Sequence, residues 1–347
     1  MISNVLKIFG LSAFAFFLAF FSTPILTHYL YKYKIWKKKP RLVSEKSAGI
    51  VSLQHEKETS TPRMGGILIW FSMLIVIILF WLLSIIHPTE LTLKLNFLSR
   101  GQTWLPLFTL IISSLIGLAD DFFVVYGKGS YGGGGISLTK RILMVAIIGL
   151  VGSFWFYYKL DVSSINIPFW GDINLGYSFI LLFVVTMLAL FSGGVIDGID
   201  GLSGGVFAAI FSAYGGIAFF QNQIDLATFC AVLVGGILAF LWFNIPPARF
   251  YMGETGILGL VTTLTVVAFL TKAVVVLPVI AFLLFTTSGS VIIQLFSKKY
   301  FHKKIFRVAP MHHHFEAIGW PLYKVTMRYW IISVIFAIIG MVIALVG

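Results

Sequence analysis

The chain has 347 residues, of which 59% are hydrophobic and 11% charged, with a mean hydropathy of +0.96. Soluble domains carry about 25% charged residues, so this composition excludes a soluble enzyme, a disordered chain and a disulfide scaffold, and indicates a polytopic membrane protein. Cys230 is the single cysteine and lies in an apolar run, which excludes a cysteine-rich metal site, while the net charge of +12 points first to basic loops on one side of a membrane and only then to an anionic ligand.

A crossing helix needs about 20 mostly apolar residues. In chain order the sequence predicts ten, at 8–30, 66–86, 104–123, 142–158, 177–196, 204–220, 226–243, 256–271, 273–296 and 330–346. The first is too long for a cleaved signal peptide, and basic charge follows it. The stretch 255–296 as one helix would be about 63 Å long, twice the hydrocarbon core. It is therefore read as two spans turning near Thr271-Lys272, the second kinked or broken around Pro278 and the Thr286–Ser290 run. Between the fourth and fifth spans, Ile165–Tyr177 alternates apolar residues with Gly-Asp turn chemistry and predicts a small β-hairpin on the outer side.

Ten spans leave nine loops. Twenty of the 25 Lys and Arg residues fall in the odd loops and four in the even ones. The positive-inside rule then puts the odd loops in the cytoplasm and both termini outside. Nine of the 13 acids sort to the same inner side. No linker or short-period repeat divides the chain, so the expectation is one all-α integral membrane domain over 1–347 with a single cytoplasmic active site.

Asp120-Asp121 ends the third span. Neighbouring helix residues point about 100° apart, so one carboxylate is read as facing a metal or nucleophile and the other a structural partner; a solvated helix end is the alternative, against which the helix dipole works. Asp197-Gly198-Ile199-Asp200-Gly201 follows the fifth span. If its turn is helical, the i, i+3 spacing puts both carboxylates on one side, as hard oxygen ligands for Mg²⁺ held with substrate phosphates; a plain Asp-Gly turn is the alternative. The loop Asn244–Gly256 combines an amide, Arg249, Tyr251 and Glu254, suiting a base and a metal, or else simply caps the eighth helix. His312-His313-His314-Phe315-Glu316 follows a basic run. Its spacing does not fit zinc, and imidazoles beside Lys303 and Arg307 suit a pyrophosphate. Gly132–Gly135 reads as a flexible connector, and Lys37-Lys38-Lys39 as an anchor to anionic lipid. No Walker A sequence is present. Carboxylates, cations and imidazoles at one membrane edge together fit phosphoryl transfer with a lipid partner.

Pro310-Met311-His312-His313-His314-Phe315-Glu316 with Gly319-Trp320-Pro321 resembles the histidine motif of the phospho-N-acetylmuramoyl-pentapeptide transferase (MraY, translocase I) family. Thr61-Pro62-Arg63-Met64-Gly65-Gly66, Asp120-Asp121, Asp197–Gly201 and Asn244–Gly256 resemble the family's other blocks in order, so the likeness spans nearly the whole chain. The aspartate blocks are shared with the wider polyprenyl-phosphate sugar-phosphate transferases; the histidine block is specific. The resemblance implies transfer of phospho-MurNAc-pentapeptide from its UDP carrier to undecaprenyl phosphate, giving lipid I and UMP in peptidoglycan synthesis. It also implies Mg²⁺, ten helices, a homodimer in the bacterial inner membrane, and no nucleic-acid partner. Carried over residue by residue, it implies catalytic roles for Asp120, Asp121, Asp197, His312, His313 and His314. It assigns substrate binding to Lys57, Thr61, Lys128, Lys140, Gly198, Ile199, Asp200, Asn244, Tyr251 and Arg307, with uridine against Tyr251 near Asn244 and Asp200, and metal ligation to Glu254 helped by Asp197.

Three departures mark a divergent member. Glu254 replaces an aspartate, Phe191 and Gly194 replace two asparagines, and Arg63 stands where a small hydroxyl residue is usual. The alternatives are a related polyprenyl-phosphate N-acetylhexosamine-1-phosphate transferase, which the histidine block opposes, and a transporter. A transporter would set its polar groups at mid-membrane.

Overall fold

The structure is a computed structural model describing residues 2–36, 60–127 and 135–347. Among the described residues, nine helices are long and apolar enough to cross a membrane. They are α1 (Leu6–Lys32), α2 (Ile67–Ile86), α4 (Trp104–Tyr126), α5 (Leu138–Lys159), α6 (Ser178–Ile196), α7 (Leu202–Phe220), α8 (Ile224–Asn244), α9 (Gly253–Leu270) and α13 (Leu322–Val346). A short α3 (Glu90–Leu95) follows α2.

The remaining expected span is in two pieces, α10 (Leu277–Ile280) and α11 (Phe282–Tyr300). The turn before it falls at Thr271-Lys272, as the length argument requires. The break comes at Ala281, just after the Pro278 turn, and not in the Thr286–Ser290 run. That run stays helical because its hydroxyls bond back to the preceding turn, Thr286 Oγ1 to the Phe282 carbonyl at 2.9 Å and Ser288 Oγ to that of Leu284 at 3.0 Å.

Helix α9 lies at the centre. Every residue from Thr255 to Phe269 is buried, as expected of a segment with no charge on any face. Its closest neighbour is α4, whose Gly117 explains the approach: a Cβ there would lie 2.1 Å from the Glu254 carbonyl oxygen. Small residues let helix backbones meet in this way. Ser113 and Thr262 share a buried 2.8 Å hydrogen bond along the same seam. Helix α6 also packs on α9, while α7 and α8 pack together, with α1 outside α8 and α13 outside α7.

Helix α13 begins at Leu322, earlier than the apolar run at 330 suggested. Its first turns carry Lys324 and Arg328, whose charged heads lie 5.2 and 4.2 Å from the centre of the Trp320 ring. Each cation is thereby attracted to the face of the indole ring. At the opposite end of the bundle, Ser164–Ile167 (β1) and Gly171–Asn174 (β2) pair antiparallel with Ile165 opposite Ile173. Lys7 is tied there to Asp225 at 2.6 Å and to the Asn96 carbonyl at 2.9 Å.

Candidate active site

Backbone pairing assembles the site before any side chain acts. The Thr-Pro-Arg-Met-Gly-Gly segment lies along the loop ahead of α9: Tyr251 N–H donates to the Pro62 carbonyl (2.8 Å), Gly65 N–H to that of Tyr251 (2.8 Å) and Gly66 N–H to that of Met252 (2.9 Å). Asn244, buried at the end of α8, accepts from Gly201 N–H (2.9 Å) and donates to the Phe250 carbonyl (2.8 Å). It thus joins the Asp-Gly turn to the same loop. Helix α13 fixes the turn from the other side, with Trp330 Nε1 donating to the Gly201 carbonyl at 3.0 Å and Thr326 to that of Asp200 at 3.2 Å.

Four carboxylates and two arginines meet on this frame. Asp121, fully buried, accepts from Arg63 Nε at 3.0 Å on one oxygen and from Thr255 N–H at 3.0 Å on the other. It therefore caps the first turn of α9 as well as pairing a cation. Asp120 points elsewhere, accepting from Ile136 N–H at 2.5 Å, with its second oxygen 3.9 Å from Arg141. Arg141 in turn donates to Glu254 at 2.6 Å. Asp197 accepts from Ser203 Oγ at 2.7 Å and from Gly253 N–H.

Burial pushes Asp197 up to about 6, against the hydrogen bond from Ser203 and the charge of Arg63. An activity that needs this carboxylate ionised falls as pH drops through about 6. Because the Ser203 bond favours the ionised form, Ser203→Ala is expected to move the acid limb of the kcat/KM profile to higher pH. An unmoved limb would assign it to another group.

The three histidines take three different positions in α12 (Met311–Ala317). His312 is fully buried, and among the described residues neither ring nitrogen has a hydrogen-bond partner. Burial, then the neighbouring His313, holds it well below the usual imidazole range, so it stays neutral at physiological pH. His313 Nδ1 contacts Glu316 at 3.0 Å. His314 turns away and accepts the Arg307 N–H at 3.2 Å. The glycine at 198 is a matter of space: a Cβ there would lie 2.6 Å from His312 Nε2 and 2.8 Å from His313 Nε2. The aspartate turn and the histidine helix are thus in direct apposition. Gly198→Ala is expected to push the two rings from that turn, lowering kcat and, because His312 is enclosed, costing about 1–3 kcal/mol of stability in detergent; wild-type turnover would mean that the apposition is not used.

The helix is held in place by Ser290, whose hydroxyl accepts the Met311 N–H at 2.9 Å, and by Phe315 stacked 4.7 Å from Trp320.

The expected substrate residues are not all gathered here. Lys57, Lys128, Lys37–Lys39 and most of Gly132–Gly135 lie outside the described residues. Lys140 is exposed, and its neighbour Arg141 reaches the carboxylates, one step further round the helix. Arg307 is exposed and donates to the Ala317 carbonyl at 3.1 Å, closing the end of α12. Thr61 and Tyr251 are half-buried on the paired segments, and Ile199 is buried. The 197–200 turn is not helical. Asp197 and Asp200 therefore serve different partners, the latter accepting from Ala248 N–H at 3.3 Å. Arg63 as a partner of Asp121, Arg141 and Ser203 were not foreseen. The one signal for Arg141 was its adjacency to Lys140 at the start of a helix.

Among the described residues, no three His, Cys, Asp or Glu gather to hold a metal ion by themselves. Mg²⁺ commonly uses one or two carboxylates together with substrate phosphates. Asp197 and Glu254, both partly open to solvent, fit that mode.

A polytopic helical frame thus crowds acids, arginines and imidazoles at one end. Residues 103–272 match the family described as Glycosyl transferase family 4. The chain is 38% identical over 291 residues to the phospho-N-acetylmuramoyl-pentapeptide-transferase of Geobacillus sp. (strain WCH70), covering 82% of this chain and 84% of that one. It is 35% identical to that of Listeria monocytogenes serotype 4b (strain CLIP80459), covering 82% and 85%, and 33% identical to that of Rickettsia bellii (strain OSU 85-389), covering 83% and 80%. The chain belongs to the phospho-N-acetylmuramoyl-pentapeptide-transferase family.

Proposed function

We propose that this protein transfers phospho-MurNAc-pentapeptide from UDP-MurNAc-pentapeptide to undecaprenyl phosphate, giving lipid I and UMP for peptidoglycan synthesis. The observation that carries the reading is the apposition of His312 and His313 to the Asp197-Gly198 turn. It joins the block specific to this family to the block it shares with the wider superfamily.

An oxygen of the lipid phosphate attacks the sugar-bearing phosphorus. The bond from that phosphorus to the bridging oxygen breaks, and UMP leaves with the electron pair. Asp120, turned away from the structural pairing of Asp121, orients the lipid phosphate. A phosphomonoester is already mostly ionised at pH 7, its second pKa being about 6, so orientation matters more than proton removal. Asp197 and Glu254 are the residues to hold Mg²⁺ on the diphosphate, where the ion would neutralise charge on the transferring and leaving oxygens. The neutral imidazole of His312 and its partner His313 donate hydrogen bonds as charge builds on the leaving group. Tyr251 offers an aromatic face to the uracil. The charge asymmetry of the loops supports a site on the cytoplasmic side of the inner membrane, with both termini outside; the family resemblance adds a homodimer.

The test is product formation by the full chain in detergent with undecaprenyl phosphate and Mg²⁺. Lipid I and UMP are expected from UDP-MurNAc-pentapeptide and no transfer from UDP-GlcNAc. The reverse preference would replace this reading with that of a hexosamine-1-phosphate transferase.

A further inference from the structure

Arg63 brings a cation into the carboxylate cluster. Its Nε lies 3.0 Å from Asp121, whose other oxygen is already engaged by Thr255 N–H. The side chain is a quarter exposed, while that of Asp121 is wholly enclosed. Burial alone would lower the guanidinium, but Asp121, with Glu254 and Asp197 behind it, holds it well above its ordinary value. The main chain that carries Arg63 is anchored: its own N–H donates to the Ile35 carbonyl at 2.9 Å, and Pro62, Gly65 and Gly66 pair with the backbone of Tyr251 and Met252. On the far side, Arg141 pairs with Glu254 at 2.6 Å and lies 3.9 Å from Asp120. Two paired cations thus stand among four carboxylates.

A divalent ion entering such a site meets like charge at close range, where Coulomb repulsion is large and poorly screened. Its attraction to Asp121 and Glu254 is weakened, because each is already paired with a guanidinium. A nucleotide diphosphate alters the balance, because it brings its own negative oxygens to ligate the ion and to face the guanidinium. We propose that Arg63 is a resident counter-ion which keeps divalent metal out of the substrate-free site, so that metal enters only together with the diphosphate of the nucleotide substrate. This rests on the placing of the metal at Asp197 and Glu254 given above. It adds an order of binding that those ligands alone do not dictate.

The experiment is a titration of the full chain in detergent with Mn²⁺, read by electron paramagnetic resonance without any substrate, and repeated with UDP. Wild type and Arg63→Lys are expected to bind Mn²⁺ weakly until UDP is added. Arg63→Thr and Arg63→Gln are expected to bind it about tenfold more tightly or better without UDP, and to lose that gain when Glu254→Gln is added. If the threonine variant does not fold, the glutamine variant is read in its place. The proposal is overturned if neither variant binds the ion more tightly than wild type, if the lysine variant binds as tightly as they do, or if the gain survives Glu254→Gln. Failure of the functional reading shows separately, as an absence of UMP release by wild type from UDP-MurNAc-pentapeptide; the substrate-free titration does not depend on that result.

Discussion

Glu254→Gln is expected to lower kcat by about 10²–10³, the scale of removing one charge-stabilising group from a transfer site, while Glu254→Asp keeps much of the activity. The structure adds a second effect to this loss. Arg141 donates to Glu254 at 2.6 Å, and its side chain is only 17% exposed. Removing the carboxylate leaves an enclosed guanidinium without its nearest counter-charge. Breaking such a pair typically costs about 3–5 kcal/mol, and the partial exposure of Glu254 puts the expected loss at the lower end. Stability and activity should then separate in the double variant: Arg141→Met with Glu254→Gln recovers melting temperature but not turnover. The two measurements are a thermal melt in detergent and a UMP-release assay at ordinary Mg²⁺. Full turnover by Glu254→Gln would remove Glu254 from the chemistry altogether.

The second large effect distinguishes the adjacent aspartates. Asp121→Asn is expected to destabilise by about 3 kcal/mol, the lower end for breaking an enclosed pair, since it strips a quarter-exposed Arg63 of its partner. Asp121 also caps α9 through Thr255, and an amide oxygen cannot serve both donors with charge. Asp120→Asn keeps an acceptor for Ile136 N–H, so the fold should tolerate it, with the loss appearing in kcat. The two variants examined side by side, by melting temperature and by turnover at saturating lipid phosphate, should fail in opposite ways. Equal losses of stability, or equal losses of kcat with unchanged stability, would refute the division of roles.

This division illustrates how much was legible in the sequence. That Asp120 and Asp121 cannot do one job follows from helix geometry; which of them is structural depends on Thr255 and Arg63, far away along the chain. The helices were legible because apolar runs of span length have few other fates, and the turn at Thr271-Lys272 followed from length alone. The break at Ala281 was located only approximately, since the hydroxyl run that looked like a weak point satisfies its own backbone. Likewise the three histidines were read together as a group suited to a pyrophosphate, yet their separate destinations depend on Gly198, Glu316 and the Arg307 backbone. Arg141 illustrates the limit most sharply. A single residue of helical phase separates it from Lys140, and the basic motif alone does not reveal which cation turns inward.

The pairing of the Pro62–Gly66 segment with Tyr251 and Met252 has a consequence for biogenesis. Translation delivers α2 and α4 to the bilayer long before α9 exists. During that interval Asp121 waits without its Thr255 capping donor, Arg141 without Glu254, and the 62–66 backbone without its carbonyl and amide partners. Unpaired ionisable groups at a membrane edge are costly to hold in hydrocarbon and readily snorkel to water. The N-terminal half therefore lacks these partners until the Tyr251–Thr255 stretch has been made. A chain released before that point would present the same polar groups, unmatched, to whatever surveillance machinery reads exposed charge within the bilayer.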